Sequence, residues 1–159
     1  MLTSLDRSRA AVRTGTRPSR SRLEIAVAPA AVRIARRWAA GQLAACCPPP
    51  SEEIADAAVL AVSELVTNAI MAMDRGGTSR VWLVIVRGAG TVRIEVHDSS
   101  AAPLPAEPLP ACPRDGADVD AGGWCDEGGR GLGVVAALAT RWGWQPGPLG
   151  KVVWCELTG

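Results

Sequence analysis

The stretch SEEIADAAVLAVSELVTNAIMAM, residues 51–73, is the segment of this sequence that is most informative about the fold. Ser51 is a good helix N-cap, and Glu52 and Glu53 suit the positive end of a helix. Apolar side chains then repeat every three or four residues, at Ile54, Ala58, Ala61, Leu65, Ala69 and Met73. This period predicts one long helix over about 52–73, whose apolar face must pack against another layer.

The segments before this helix predict a strand and a shorter helix. Leu23, Ile25 and Val27 alternate with polar or small residues, which indicates a half-buried strand. A run rich in Ala and Arg follows over 31–43 with apolar residues at helical spacing. Three prolines at 48–50 end that helix, because proline neither donates a backbone hydrogen bond nor allows a helical residue before it.

The segments after the long helix predict two hairpins and a third helix. Alternating apolar residues predict strands at 81–86, 92–96, 142–145 and 152–157. Gly88-Ala89-Gly90 joins the first pair, a turn around 146–150 joins the second, and a run rich in Ala and Val predicts a helix over 132–140. The order of elements predicts an α+β fold: a two-layer α/β sandwich whose mixed, mostly antiparallel sheet carries three helices on one face.

Two segments lack any apolar period. Residues 1–22 hold six Arg against Asp6 alone, so we expect a disordered Arg-rich arm followed by a single domain over 23–159. Residues 99–128 are rich in Pro, Gly and acidic side chains and are longer than a tight connection requires. They predict a long mobile loop within that domain.

Composition limits the classes of function. The formal net charge of the 159 residues is +1, and positive charge is concentrated in the arm, so a core that binds nucleic acid directly is disfavoured. No uncharged apolar run of about 18 residues and no apolar signal segment are present, which predicts a cytoplasmic protein without a membrane span. Five Cys and one His without a C-x-x-C motif favour free thiols over a zinc site.

Glu64 and Asn68 form the first candidate for chemistry. They are four residues apart on the long helix, so their polar ends emerge from one face among apolar neighbours. An unpaired carboxylate on a dry apolar face costs several kcal/mol, by an order-of-magnitude estimate. Either this face borders a cavity or ligand, or it is an exposed helix side with an incidental polar pair.

Asp98 is the second candidate, and it closes the predicted strand over 92–97. By two-residue alternation it shares the core-facing side of Val92, Ile94 and Val96. A carboxylate there needs a hydrogen-bond donor. A nucleobase amine and the backbone amide of Ser100 are the two candidates.

The third candidate is the glycine-rich segment Gly128-Gly129-Arg130-Gly131-Leu132-Gly133 at the start of a predicted helix. Glycines at this place let backbone amides approach an anion, as in a phosphate site, or they form a flexible hinge. The segment also fits the pattern G-x-G-x-x-A. Since no strand precedes it, we do not interpret it as a dinucleotide fingerprint.

Together these features resemble the ATP-binding domain shared by gyrase, the heat-shock chaperone, histidine kinases and the mismatch-repair ATPase, the GHKL superfamily with its Bergerat-type fold. The resemblance covers residues 23–157 and is nearest to the small bacterial anti-sigma-factor serine/threonine kinases. The three matching boxes are Glu64-Leu65-Val66-Thr67-Asn68-Ala69, Val96-His97-Asp98, and Gly129-Arg130-Gly131-Leu132-Gly133 with Val135-Ala136-Ala137-Leu138-Ala139.

The resemblance implies roles for these residues toward ATP and Mg²⁺. Asn68 would ligate Mg²⁺, Asp98 would accept from the adenine amine, and residues 99–128 would close over the phosphates as a lid. Glu64 would be the general base for a serine hydroxyl or a water. The implied nucleotide-binding residues are Asn68, Asp98, Ser100, Gly129, Arg130, Gly131, Leu132 and Gly133. Ser100 stands where the family usually has glycine.

Two hypotheses of function follow from the resemblance. The first is an ATP-dependent protein serine/threonine kinase that binds a sigma factor and phosphorylates its antagonist in a partner-switching pathway. The second is a nucleotide-binding protein-interaction module without phosphoryl transfer, in which ATP orders the lid. A detached half of a histidine kinase is disfavoured because the chain has no room for a phosphoacceptor helix pair. The resembling proteins imply a possible homodimer.

Overall fold

A computed structural model describes residues 18–73, 79–88, 90–100 and 130–159 of the chain. These residues form five strands and three helices. In chain order the elements are β1 (Ser19–Ala26), α1 (Ala31–Ala44), α2 (Glu52–Ala72), β2 (Arg80–Gly88), β3 (Thr91–Asp98), α3 (Arg130–Leu138), β4 (Arg141–Gly147) and β5 (Gly150–Thr158).

The five strands form one sheet in the order β1-β2-β3-β5-β4. All four strand pairs are antiparallel, so the prediction that the sheet is mixed is wrong for the described strands. The turn between β2 and β3 contains Gly90 at φ +71°, a left-handed conformation that suits glycine. Because β3 lies between β2 and β5, its last residue is enclosed by strands on both sides.

The three helices cover one face of the sheet, as predicted, and the two-layer α+β sandwich is confirmed. Alternate side chains of the three central strands face the helices, including Leu83, Ile94 and Cys155, and all three are buried. The long helix α2 packs on these strands and on both other helices. Burial of this apolar layer is the main source of stability.

Helix α2 begins where the sequence predicts. The Ser51 hydroxyl accepts a hydrogen bond from the backbone amide of Ile54 at 3.3 Å, which satisfies one free donor of the first turn. Among the described residues, α2 alone is long and apolar enough to cross a membrane by length and composition. Its Val62, Leu65 and Val66 are buried in the core of the domain.

Some predicted boundaries are wrong. Strand β1 begins at Ser19, so the arm predicted to end at residue 22 contributes four residues to the sheet. Helix α3 begins at Arg130 rather than 132. The last hairpin turns at Pro148 and Leu149, within the predicted turn around 146–150. Residues 1–17 of the predicted arm and residues 101–128 of the predicted lid lie outside the described residues.

The face of the sheet turned away from the helices combines charged side chains of β3 with apolar side chains of β2 and β5, such as the buried Val84 and Val152. Arg93 reaches Glu95 at 2.9 Å and Glu156 at 2.8 Å, and its guanidinium lies 4.1 Å from the ring centroid of Trp154. Burial raises the pKa of Glu95, but the hydrogen bond from Arg93 and the charge of Arg20 outweigh it, so the pKa lies below its usual value. The pair between Arg93 and Glu156 joins β3 to β5, whereas Arg93 and Glu95 are two residues apart on β3.

Candidate functional site

Asp98 is the last residue of β3 and faces the helices, as the alternation predicts. Its neighbour across the sheet on β5 is Lys151, and on β2 it is Val81. Asp98 is 2% exposed and Lys151 is 6% exposed. A carboxylate and an ammonium are therefore buried together at one end of the sheet.

One oxygen of the Asp98 carboxylate has several donors. Oδ1 accepts from the Ser100 backbone amide at 2.9 Å and from the Ser100 hydroxyl at 2.6 Å. The Lys151 Nζ lies 3.4 Å from the same oxygen and also donates to the Ser100 hydroxyl. The Ser100 amide, one of the two donors predicted from sequence, is thereby confirmed.

The other carboxylate oxygen has no partner among the described residues. Asp98 Oδ2 is buried and accepts no hydrogen bond from any residue that the structure describes. Since a buried, unsatisfied acceptor costs about 1–3 kcal/mol, proteins seldom leave one without a functional reason. Oδ2 therefore fits an acceptor for a ligand N–H, and the amine of adenine is a donor of that kind.

Gly150 lets β5 approach the residues that follow β3. A Cβ on Gly150 would lie 2.4 Å from the carbonyl oxygen of Asp98 and 2.9 Å from that of Ser100. Both distances are far below van der Waals contact with backbone atoms, which do not move easily. The turn that presents Asp98 and Ser100 thus requires glycine at position 150.

A second group of polar residues forms between α2 and α3. Glu64 and Asn68 point from α2 toward Gly131 in the first turn of α3: a Cβ on Gly131 would lie 2.7 Å from Glu64 Oε2 and 3.3 Å from both Asn68 amide atoms. Asn68 Nδ2 is buried without a partner among the described residues. The first and third sequence boxes therefore meet, as their resemblance implies.

The contact between Ser99 and Met73 connects the two groups. The Ser99 hydroxyl donates to the Met73 sulfur at 3.6 Å, so the end of α2 lies beside the chain that leaves β3. Asn68 is five residues before Met73, about 7.5 Å along the helix axis. Asp98 and Asn68 are thus at the same end of the domain.

The two orphaned atoms fit a nucleoside triphosphate with a metal ion. No cluster of three or more His, Cys, Asp or Glu able to hold a metal occurs within the described part of the chain. Asn68 would then be a lone protein oxygen ligand, which suits Mg²⁺ because that ion takes most of its ligands from phosphates and water. Gly131 leaves space that a side chain would fill beside that amide.

The other predicted site residues lie beside Asp98, in the first turn of α3, or outside the described residues. Ser100 supports Asp98 through its amide and hydroxyl. Leu132 and Gly133 lie in the first turn of α3, which begins at Arg130. Gly129 lies outside the described residues.

Lys151 and Gly150 are site residues that sequence reasoning missed. One signal was available for Lys151: it alternates with Val153, Cys155 and Leu157, so a charge occupies the buried side of a strand. A charged residue at such a position calls for a buried partner.

Comparison with known families agrees with this geometry. The family described as the histidine kinase-like ATPase domain matches residues 25–156. The match covers most of the chain, and the chain therefore belongs to the histidine kinase-like ATPase domain family. The resemblance to the GHKL superfamily is thereby confirmed and ATP binding is supported. A comparison with curated proteins found no match.

Proposed function

We propose that the protein is an ATP-dependent protein serine/threonine kinase that acts as an anti-sigma factor in a partner-switching pathway. The observation that carries the proposal is the position of Glu64, whose Oε2 adjoins Gly131 at the start of α3 beside Asn68. A carboxylate at that place is suited to accept a proton next to the phosphates of ATP. The family assignment supports the nucleotide, and the resemblance described above suggests the protein partners.

Asp98 would bind the base of ATP. Its Oδ1 is occupied by Ser100 and Lys151, whereas Oδ2 is buried and free to accept from the adenine amine. The surrounding residues exclude water from this carboxylate, so a hydrogen bond to Oδ2 would be stronger than one at the surface.

Asn68 and Gly131 would hold the phosphate end. The Asn68 amide oxygen would ligate Mg²⁺, which supplies charge neutralisation to the phosphates when it is bound. The amide nitrogen, unpartnered in the described residues, would donate to a phosphate oxygen. Gly131 keeps the approach open, because any side chain there would meet Glu64 and Asn68.

Glu64 would act as general base. Its carboxylate would accept the proton of a partner's serine hydroxyl as the oxygen attacks the terminal phosphorus of ATP, and the bond to ADP would break. A positioned base contributes about 10²–10⁴-fold to rate and little to ground-state binding. The role therefore predicts a loss of transfer without a loss of affinity.

Glu64→Gln tests this role, with Glu53→Gln in the exposed first turn of α2 as a matched control. Calorimetry with Mg·ATP gives the affinity, and ATP labelled at the γ-phosphate gives transfer to serine in proteins of an extract from the same cells. We expect Glu64→Gln to bind ATP like wild type and to lose about 10²-fold or more in transfer rate. Glu53→Gln should match wild type in both.

Each other outcome has a distinct meaning. Equal transfer by wild type and Glu64→Gln removes Glu64 as the base but keeps the kinase. ATP binding without transfer by wild type supports the nucleotide-binding interaction module instead. Absence of ATP and ADP binding at millimolar concentration contradicts the site itself.

A further inference from the structure

The function proposed above gives Lys151 no contact with ATP, yet this residue is buried beside Asp98, the proposed acceptor for the base. It is the only lysine of the chain, and its side chain is 7% exposed. It occupies the helix-facing side of β5 directly opposite Asp98. Lysine is almost never fully buried without a specific partner, so this position calls for an explanation.

The contacts of Lys151 all converge on one side of the Asp98 carboxylate. Its ammonium donates to the Ser100 hydroxyl, which in turn donates to Asp98 Oδ1, and the ammonium itself lies 3.4 Å from that oxygen. The Ser100 amide adds a further donor to Oδ1. Asp98 Oδ2 accepts no bond within the described residues.

This asymmetry fixes the orientation of the carboxylate. A half-turn of the carboxylate only exchanges two equivalent oxygens, but any intermediate rotation would break the bonds from Ser100 to Oδ1 and move that oxygen away from the ammonium of Lys151. The charge of Lys151 also compensates the buried charge of Asp98. Oδ2 therefore keeps its accepting lone pairs for a ligand.

We propose that Lys151 is a positioning residue for base specificity: through Ser100 and Asp98 Oδ1 it keeps Asp98 Oδ2 as an acceptor that selects a purine with an exocyclic amine. The proposal rests on the ATP-binding function above and assigns a cause to its specificity. In this account the ammonium bonds only to the protein, through the Ser100 hydroxyl and Asp98 Oδ1. Because an ammonium has three N–H donors, a direct contact with the base is the competing role that the double variant below tests.

The test compares ATP with purine riboside triphosphate, which lacks the 6-amino group. Calorimetry of wild type should give a preference for ATP of about 10- to 150-fold, the contribution of one hydrogen bond to a charged group. In Lys151→Met the preference should fall to about threefold or less, because the carboxylate is no longer held. Arg80→Met, which removes an exposed cation on β2, is the matched control and should keep the full preference.

Two further variants separate an indirect role from a direct contact. If Lys151 acts through Asp98, the double variant Asp98→Asn/Lys151→Met shows the same small preference as Asp98→Asn alone. A further loss in the double variant indicates that Lys151 contacts the base, which overturns the positioning role. Ser100→Ala breaks the same connection without leaving a charge unpaired, and we expect it to reduce the preference even if Lys151→Met does not fold.

The proposal is overturned if both Lys151→Met and Ser100→Ala prefer ATP over purine riboside triphosphate as strongly as wild type does. Equal weakening of both nucleotides in these variants also overturns it, since that pattern indicates a structural role alone. A wild-type protein that binds neither nucleotide contradicts the ATP-binding function itself. That outcome is distinct from failure of the Lys151 role, because the Lys151 role can be judged only when wild type binds ATP measurably.

Discussion

Gly150 lies directly against the backbone of Asp98. The missing side chain of Gly150 leaves the space in which the Asp98 carbonyl oxygen sits, 2.4 Å from where a Cβ would be. The next residue, Lys151, faces Asp98 across the sheet. Asp98, the proposed acceptor for the base of ATP, is thus positioned by two adjacent residues of a strand that lies about fifty positions later in the sequence.

Gly150→Ala should impair both folding and binding. Its Cβ would meet two backbone carbonyls, and relief requires a shift of the turn at Asp98 and Ser100. We expect a loss of about 1–3 kcal/mol in the free energy of unfolding, the usual cost of overpacking, and weaker ATP binding. Urea unfolding and calorimetry measure the two effects.

Gly41→Ala provides the control for this substitution. Gly41 lies in α1, and a Cβ there meets nothing within 4 Å. Alanine should therefore raise the free energy of unfolding by about 0.5–1 kcal/mol and leave ATP binding unchanged. Equal stability of Gly150→Ala and Gly41→Ala would contradict the close approach of β5.

Gly131→Ala should separate stability from activity. The nearest atom to its Cβ is Oε2 at the end of the flexible Glu64 side chain, and alanine is the better helix former. We expect unchanged or higher stability, displacement of Glu64, and reduced phosphoryl transfer. Thermal unfolding and the transfer assay check this, and a variant with normal transfer would show that the space beside Glu64 is not required.

Lys151→Met should destabilise the fold strongly. It leaves the Asp98 carboxylate buried without its cation, and removal of one partner of a buried ion pair costs about 3–5 kcal/mol. The double variant Asp98→Asn/Lys151→Met removes both charges and should recover much of that loss. Urea unfolding of the single and double variants gives the coupling between the residues, and additive losses would contradict a specific pair.

Periodicity in the sequence was sufficient to predict most of the fold. The predicted β1 begins later than the observed strand because Ser19–Arg22 contain no apolar residue. These residues pair with Val84–Arg87 of β2, and their side chains contact residues distant in sequence. Arg20 reaches Glu95 at 3.2 Å, and Arg22 lies 5.6 Å from the ring centroid of Trp82. Such cross-strand pairs become visible only once strand order is known.

Strand order also explains which site residues could be predicted from the sequence. Glu64 and Asn68 share one helix face, and alternation alone puts Asp98 on the core side of β3. The roles of Gly150 and Lys151 depend on the pairing of β3 with β5, whereas hairpin spacing indicates only that β5 pairs with β4. Local patterns therefore predict the chemical groups, but strand order decides which groups meet.

Cys155 should make stability depend on alkaline pH. Burial raises the pKa of its thiol from the usual 9.0 to about 12; Arg93 lowers it and Glu156 raises it to a lesser extent. The folded thiol therefore keeps its proton at a pH where the unfolded thiol has lost it. The contribution to stability is complete below about pH 9 and falls by about 1.4 kcal/mol per pH unit as the pH rises toward 12.

Cys155→Val should remove this dependence, because valine keeps an apolar side chain on the same buried face of β5 and does not ionise. Urea unfolding between about pH 8 and about pH 11 should show a shallower decline for Cys155→Val than for wild type, by up to about 1.4 kcal/mol per pH unit. Cys47→Ser, at an exposed cysteine, should keep the wild-type slope. Parallel declines in wild type and Cys155→Val would show that another group causes the alkaline loss and that the Cys155 thiol ionises equally in both states.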